Sequence, residues 1–382
     1  MTEQAAALWL QAALGVQSVA AVNLLQHFGS AAQTAAAGEQ EWRLSGLLKS
    51  TQLQKLCNTP ADAGERLLAE LPRRGINLLT YGQPEYPKRL YELADAPIVL
   101  FVKGKLPDLD VHLGVGVVGT RKPGEYAANC TRSLCAQLAQ KGVCVISGGA
   151  LGIDSAAHVG ALSANGVTVA VLGCGVDYPY LKENQPLRDT ISRHGALISE
   201  YPPDTPPARY TFVQRNRIVA GLSAAVTVVQ ASEKSGSLIT AKDAKNLHRS
   251  VFCVTGAMAD PAFAGSHRWL AEGLAKPVFS ADDILTHFPD YRPIIPQGAC
   301  EDGVTPTVTI AEQSFFLPAL PRKVSDAAAA VYAAFTAAEQ TQEQLLAASG
   351  LSIPKLLAAL TELELIGVVT ACGAHRYRVA QS

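Results

Sequence analysis

The sequence predicts an α/β protein: a doubly wound, mostly parallel sheet, with a helical module on its N-terminal side and a winged helix on its C-terminal side. Three observations carry this expectation. Short apolar or β-branched runs alternate with stretches of helical period between residues 112 and 287. Residues 5–70 are Ala-rich and read as helix, and residues 324–380 read as three helices followed by strands. Fully apolar strands separated by helices imply a parallel sheet covered on both faces.

Residues 1–75 form the first unit, a helical module of SAM or helix-hairpin-helix type. Nothing from Gln4 to Gly38 is formally charged, yet Gln4, Gln11, Gln17, Asn23, Gln26 and His27 interrupt the apolar runs. No Lys or Arg precedes Arg43, so the positive leader of an export signal is missing. A helical pair with a glycine turn can grip a DNA backbone through helix N-termini. The turn at Gly29-Ser30 has no cation beside it, and the module reads as packing.

Residues 76–288 form an extended Rossmann-like domain. Ile76–Thr80 and Ile98–Val102 are its first strand-like pieces. Then come Val115–Thr120, Val143–Ser147, Thr168–Gly173, Ala196–Ser199, Val226–Gln230 and Val251–Thr255. Ala127, Cys130, Leu134 and Leu138 mark one intervening helix by their spacing. Residues 289–321 are an acidic, Pro-rich linker, with Pro289, Pro293, Pro296, Pro306, Pro318 and Pro321. In residues 322–382, Gln342–Ala348 and Ile353–Leu365 flank a Ser-Gly turn, and Val368–Ala371 and Tyr377–Val379 make a wing around Cys372-Gly373.

Composition narrows the function. Hydrophobic residues make up 48% and charged residues 17%, which excludes disordered, collagen-like and disulfide-scaffold classes. Lys and Arg total 32 against 33 Asp and Glu, so no bulk positive charge coats nucleic acid. Residues 112–287 alone are mildly basic, with 16 cationic and 13 anionic side chains. Eight cysteines without any C-x-x-C read as free, mostly buried thiols, and no metal site is expected. No segment reads as a membrane span, and the expected location is cytoplasmic.

Gly114-Val-Gly116-Val-Val-Gly119 matches the dinucleotide fingerprint in letters only. Its glycines fall inside a strand, and no acidic residue follows at ribose distance, so close strand packing explains them. No cofactor is expected. The loops after the strands are more informative, because a parallel sheet gathers them at its carboxyl edge. They include Gly119-Thr120-Arg121-Lys122, Ser147-Gly148-Gly149, Gly173-Cys174-Gly175, Ser199-Glu200 and Ser235-Gly236-Ser237. Glycine amides and hydroxyls near helix N-termini bind phosphate. Tyr178, Tyr180 and Lys182, and then Arg209, Tyr210, Phe212, Asn216 and Arg217, bring cations beside aromatic rings, a pairing suited to single-stranded nucleic acid. Arg217 adjoins an apolar run, which also suits a structural role. Asp154 and His158 could pair as orienter and base, but no nucleophile is tied to them, and Asp154 reads more simply as a helix N-cap.

These strings resemble the DNA-processing protein DprA (Smf) family. The resemblance runs through Val118-Gly-Thr-Arg121, Ser147-Gly-Gly-Ala-Leu-Gly-Ile-Asp154 with His158, Tyr178-Pro179, Ser199-Glu200, Arg215-Asn-Arg-Ile-Val-Ala-Gly-Leu222, Ser235-Gly-Ser-Leu-Ile-Thr-Ala241 and Gly265-Ser-His267. It implies a non-enzymatic homodimer that protects incoming single-stranded DNA and loads RecA onto it during natural transformation, with double-stranded DNA a further candidate ligand. By matching position the strand-binding residues would be Gly119, Arg121, Ser147, Gly148, Gly149, Lys182, Arg209, Asn216 and Arg217, to which its ring adds Phe212. Three positions depart from the family pattern. Gln230 replaces the usual Glu, Thr255 the usual Pro, and Val213-Gln214 follows Phe212 where Pro is usual. Gln230 is expected to remove a carboxylate from the ligand edge. Two other classes remain open: a phosphoribohydrolase-like nucleotide-processing enzyme on the same fold, whose Pro-Gly-Gly-x-Gly-Thr is absent, and a transcription regulator acting through the winged helix.

Overall fold

A computed structural model describes residues 1–293, 324–335, 340–372 and 376–379. The chain divides into two compact units, Met1–Val308 and Thr309–Ser382. The first opens with five helices, α1 (Glu3–Leu14), α2 (Val19–Phe28), α3 (Ala31–Leu44), α4 (Ser50–Asn58) and α5 (Ala63–Glu70). The hydroxyls of Thr2, Ser18 and Ser30 cap the first three by accepting backbone N–H groups. Two strands follow, β1 (Asn77–Thr80) and β2 (Val99–Gly104). The alternating part is β3 (Gly114–Val118), α6 (Glu125–Gln140), β4 (Cys144–Ser147), α7 (Ile153–Ser163), β5 (Thr168–Val171), α8 (Gln185–His194), β6 (Ala196–Ser199), α9 (Arg209–Leu222), β7 (Ala225–Val228), α10 (Ser237–Asn246), β8 (Ser250–Val254), α11 (Ala264–Ala271), β9 (Lys276–Val278) and α12 (Ala281–Leu285).

One nine-stranded sheet runs in the order β1-β2-β6-β5-β4-β3-β7-β8-β9. Every pairing among β3–β9 is parallel, and β2 is antiparallel to both of its neighbours. The apolar runs of the sequence become these strands. β9 was not among the expected strands, because Lys276-Pro277-Val278 has no apolar run; proline is tolerated there because the strand lies at the sheet edge.

Helices cover both faces. On one, Leu8, Leu10 and Leu24 from the N-terminal helices share a continuous apolar core with Leu100 and Ile198 of the sheet and Ile218 of α9. Gln11 continues this contact by donating its side-chain amide to the Glu200 carbonyl at 2.9 Å. The opposite face packs Leu134, Leu138, Ala157 and Ile284 against Val115, Val117 and Val145. Tyr291, beyond α12, still packs on that face and donates its hydroxyl to the Lys141 carbonyl. The rest of the expected linker, 294–321, lies outside the described residues.

The second unit contains α13 (Asp326–Ala333), β10 (Gln340–Thr341), α14 (Gln342–Ser349), α15 (Ile353–Leu365), β11 (Val369–Ala371) and β12 (Arg376–Val379). α14 and α15 meet at 108°, the angle of a helix-turn-helix. Gly350 takes a left-handed φ of +65° at the end of α14. β12 pairs antiparallel with both β10 and β11 to form the wing, so the winged helix is present as expected. No single helix among the described residues is long and apolar enough to cross a membrane. Of the described cysteines, Cys135, Cys144, Cys174 and Cys253 are buried, and burial pushes the Cys144 thiol up to about 12.

α9 is fastened across the sheet by a buried ion network. Arg217 donates Nε to Asp95 at 2.9 Å and Nη2 to Glu200 at 2.7 Å. Glu200 is 1% exposed, and burial pushes its carboxyl up while the Arg217 charge opposes this. Replacing Arg217 with Met leaves a buried carboxylate without its cation. We expect a loss of about 3–5 kcal/mol, measured as a lower midpoint in urea unfolding; an unchanged midpoint would mean that the network adds nothing to stability.

Candidate nucleic-acid interface

β3 lies between β4 and β7, and the chain winds outward from it first on one side and then on the other. The loops leaving the three strands therefore part at one point, where a crevice must open at the carboxyl edge. Backbone bonds lace the loops together. Thr120 N–H donates to the Gln230 carbonyl at 2.9 Å, and Ile153 N–H to the Thr120 carbonyl at 3.1 Å. The N-terminal half of α9 closes the remaining side. The resulting cleft, of about 700 Å³, is lined by Gly119, Thr120, Arg121, Gly148, Tyr180, Arg209, Phe212, Arg215, Asn216 and the Ser235–Ser237 turn, among others.

Helical geometry decides which residues of α9 reach the cleft. Arg209, Phe212 and Asn216, spaced three and four apart, share one face. The Arg121 guanidinium carbon stands 4.9 Å from the Phe212 ring centroid, a cation–π contact, and Tyr180 lies 5.5 Å from the same ring. Phe212 rests on the backbone at Gly173, where a Cβ would come within 3.0 Å of its ring. The Gly173–Gly175 loop, expected to bind anions, is thus the seat of an aromatic ring and does not line the cleft. Asn216 donates its amide to the Gly236 carbonyl at 3.3 Å, joining α9 to the turn before α10.

The floor carries a buried charge pair. Arg215 donates Nη1 to the Val171 carbonyl, and its Nε has no partner among the described residues. Asp154 accepts from the Ala150 N–H at 3.3 Å. Burial pushes the Asp154 carboxyl up, with the Arg215 charge opposing this, and burial pulls the Arg215 guanidinium down. Asp154 is not the expected N-cap: Gly152, at φ +83°, takes that position, and Asp154 sits in the first turn of α7. Nor does Asp154 orient His158. The fully buried imidazole places Nδ1 at 2.7 Å from the Thr168 hydroxyl, which itself donates to the Val145 carbonyl. Nδ1 is therefore the donor, and burial pulls the ring down to about 3, so it is neutral near pH 7.

Of the residues singled out from sequence, the fold brings Gly119, Arg121, Gly148, Arg209, Phe212 and Asn216 together at this cleft. Four lie apart from it. Ser147 is fully buried and donates to the Val117 carbonyl at 2.6 Å. Gly149, at φ +66°, turns toward Leu172 in the core. Arg217 points from the other flank of α9 into its ion network. Lys182 is exposed on the turn beyond Tyr180 and does not line the cleft. Gln230 is also not an open edge residue. It is 3% exposed and accepts the Gly124 N–H at 3.2 Å, so its amide anchors the Arg121 loop without adding charge. Tyr180, named above as a ring beside the cations, also lines the site, and so does Arg215, which the sequence reading did not name as a site residue; helical spacing from Arg209 would have placed Arg215 on the Phe212 side of α9.

Gly148 sits where a Cβ would run into both the Arg215 guanidinium and the Asp154 carboxylate. Gly148→Ala is therefore expected to displace this pair and cost about 1–3 kcal/mol, read by chemical denaturation. A variant as stable as the parent would show that the floor can adapt.

The same architecture occurs in known proteins. The sequence profile described as DNA recombination-mediator protein A matches residues 77–289, and that described as DprA winged helix domain matches residues 317–374. Protein Smf of Escherichia coli K12 is 34% identical over 321 residues, covering 84% of this chain and 82% of the relative. The crystal structure of DNA processing protein A from Streptococcus pneumoniae superposes with a TM-score of 0.64 at 31% identity, covering 73% of this chain and 95% of that one. A Helicobacter pylori DNA processing protein A, described for its single-stranded DNA binding mode, superposes at 0.52 with 32% identity, covering 57% of this chain and 97% of its own. With both profiles matched in order and the first alone spanning more than half of its length, the chain belongs to the DNA-processing protein A (DprA/Smf) family.

Proposed function

We propose that the cleft beside β3 holds single-stranded DNA, and that the chain is a non-enzymatic, homodimeric mediator that protects incoming strands and loads RecA onto them during transformation. One observation carries the binding reading. Arg121 lies over Phe212 at the mouth of a glycine-lined crevice, so a cation and a π-face are offered together. Phosphates need the first and bases the second. The Helicobacter pylori relative, named for its single-stranded DNA binding, supports the same ligand class. The hand-over to RecA, the dimer and the cytoplasmic setting rest on family membership. Arg121, Arg209, Phe212, Asn216 and the Gly119 and Gly148 backbone would meet the strand, while Ser147, Gly149 and Arg217 would support it from below and Lys182 would act from the rim.

Fluorescence anisotropy with unrelated oligonucleotides of equal length tests this. Arg121→Ala should weaken binding by about 1–3 kcal/mol without unfolding the chain. The parent protein should show a shallow salt slope, roughly −2 to −4 per subunit at about −0.7 per phosphate contact. Normal binding by the variant across salt would remove the cleft from the argument. Deleting residues 322–382 should leave most single-strand affinity, because that region is formally neutral, with 5 basic and 5 acidic residues. A folded truncation that no longer binds would place the strand on the winged helix instead.

A further inference from the structure

The other flank of α9 borders a second cleft, of about 480 Å³, whose lining includes Leu93, Asp95, Val213, Arg217, Ile239 and Asp243. Val213 lines both clefts, so a strand leaving the first along α9 arrives at the second. The walls have an unusual character. Val213 and Ile239 are aliphatic yet 47% and 39% exposed. The Asp243 carboxylate makes no hydrogen bond or ion pair within the described residues, and Asp95 spends one carboxylate oxygen on Arg217. Arg217 lies in the floor with 8% of its side chain exposed, and its Nη1, sealed beneath the surface, has no partner among the described residues. Outside the carboxylates, Lys242 and Lys245 of α10 are exposed, where a phosphate backbone could pass.

We propose that this cleft receives one base of the bound strand and selects guanine. The inference rests on the single-strand reading above. A carboxylate accepts two parallel hydrogen bonds from adjacent N–H donors. Guanine alone among the four bases presents two such donors side by side, N1–H and the N2 amino group, with the O6 acceptor next to them. Asp243 suits the donors, and Val213 and Ile239 suit the ring faces. Thymine and cytosine each offer one donor on this edge, and adenine offers its amino group beside an acceptor that would face the carboxylate. A basic side chain from a protein partner is the competing occupant, and the neighbouring phosphate cleft, joined to this one through Val213, favours a base.

The test is competition anisotropy with full-length protein and three strands of equal length: all thymidine, the same with one central deoxyguanosine, and the same with deoxyinosine there. A single substitution avoids quadruplexes. The guanosine strand should bind about tenfold tighter than the thymidine strand, and inosine, which lacks the N2 amino group, should lose most of that advantage. In Asp243→Ala, a change at a partly exposed helix position, the guanosine-to-thymidine ratio should fall to near one, and likewise in Asp243→Asn. Equal binding of the three strands by the parent protein overturns the inference and leaves the cleft to a basic protein segment. A ratio that survives both substitutions overturns it as well. Failure to bind any strand, thymidine included, would instead remove the single-strand reading on which it rests.

Discussion

The position of α9 depends on two buried guanidinium groups reaching down from opposite flanks of one helix. Arg215 bonds to the Val171 carbonyl beneath the first cleft, and Arg217 bonds to Glu200 and Asp95 on the other side. A buried charge separated from its partner costs several kcal/mol. The helix therefore cannot slide or rotate without exposing or stranding one of them. Everything at the carboxyl edge takes its geometry from this constraint: Phe212 on Gly173, Asn216 on Gly236, and Arg121 on Phe212.

The electrostatics follow the same economy. A net charge of −1 gives no long-range attraction for a polyanion, so attraction must be local. At the floor, Asp154 offsets Arg215, and the exposed cations Arg121 and Arg209 stand at the mouth. Gln230 supplies the oxygen that anchors the Arg121 loop as a neutral amide. A carboxylate there would bond to the same N–H while adding a negative charge beside Arg121.

Much of this was legible in the sequence, and the limits have physical causes. Strands β3–β8 appear as apolar runs because a sheet covered on both faces has no polar side to alternate with. The gathering of glycine loops at one edge follows from parallel topology. What the sequence could not say is which of two adjacent residues faces out. Ser147 and Gly148 are neighbours, yet one is sealed under β3 and the other lines the cleft. Arg215 and Arg217 are two positions apart and serve different sides of α9. The N-terminal helices were equally legible as helices, but not their packing into the same core as the sheet, since Leu8 and Leu10 are apolar under either arrangement.

That shared core has a consequence for how the chain must be made. α1 bonds to Glu200 across 189 residues of sequence, and Arg74 pairs with Asp177 across 103. At a synthesis rate of about 5–20 residues per second, the first helix leaves the ribosome roughly 10–40 s before its partner strand exists. During that interval Leu8, Trp9 and Leu10 have no sheet to cover them. The early nascent chain is thus a bundle of Ala-rich helices with an uncovered apolar face and no formal charge between Gln4 and Gly38 to keep neighbouring chains apart. The same long-range closure that makes the finished unit continuous leaves its first segment dependent on chaperones or on spacing between ribosomes until β6 arrives.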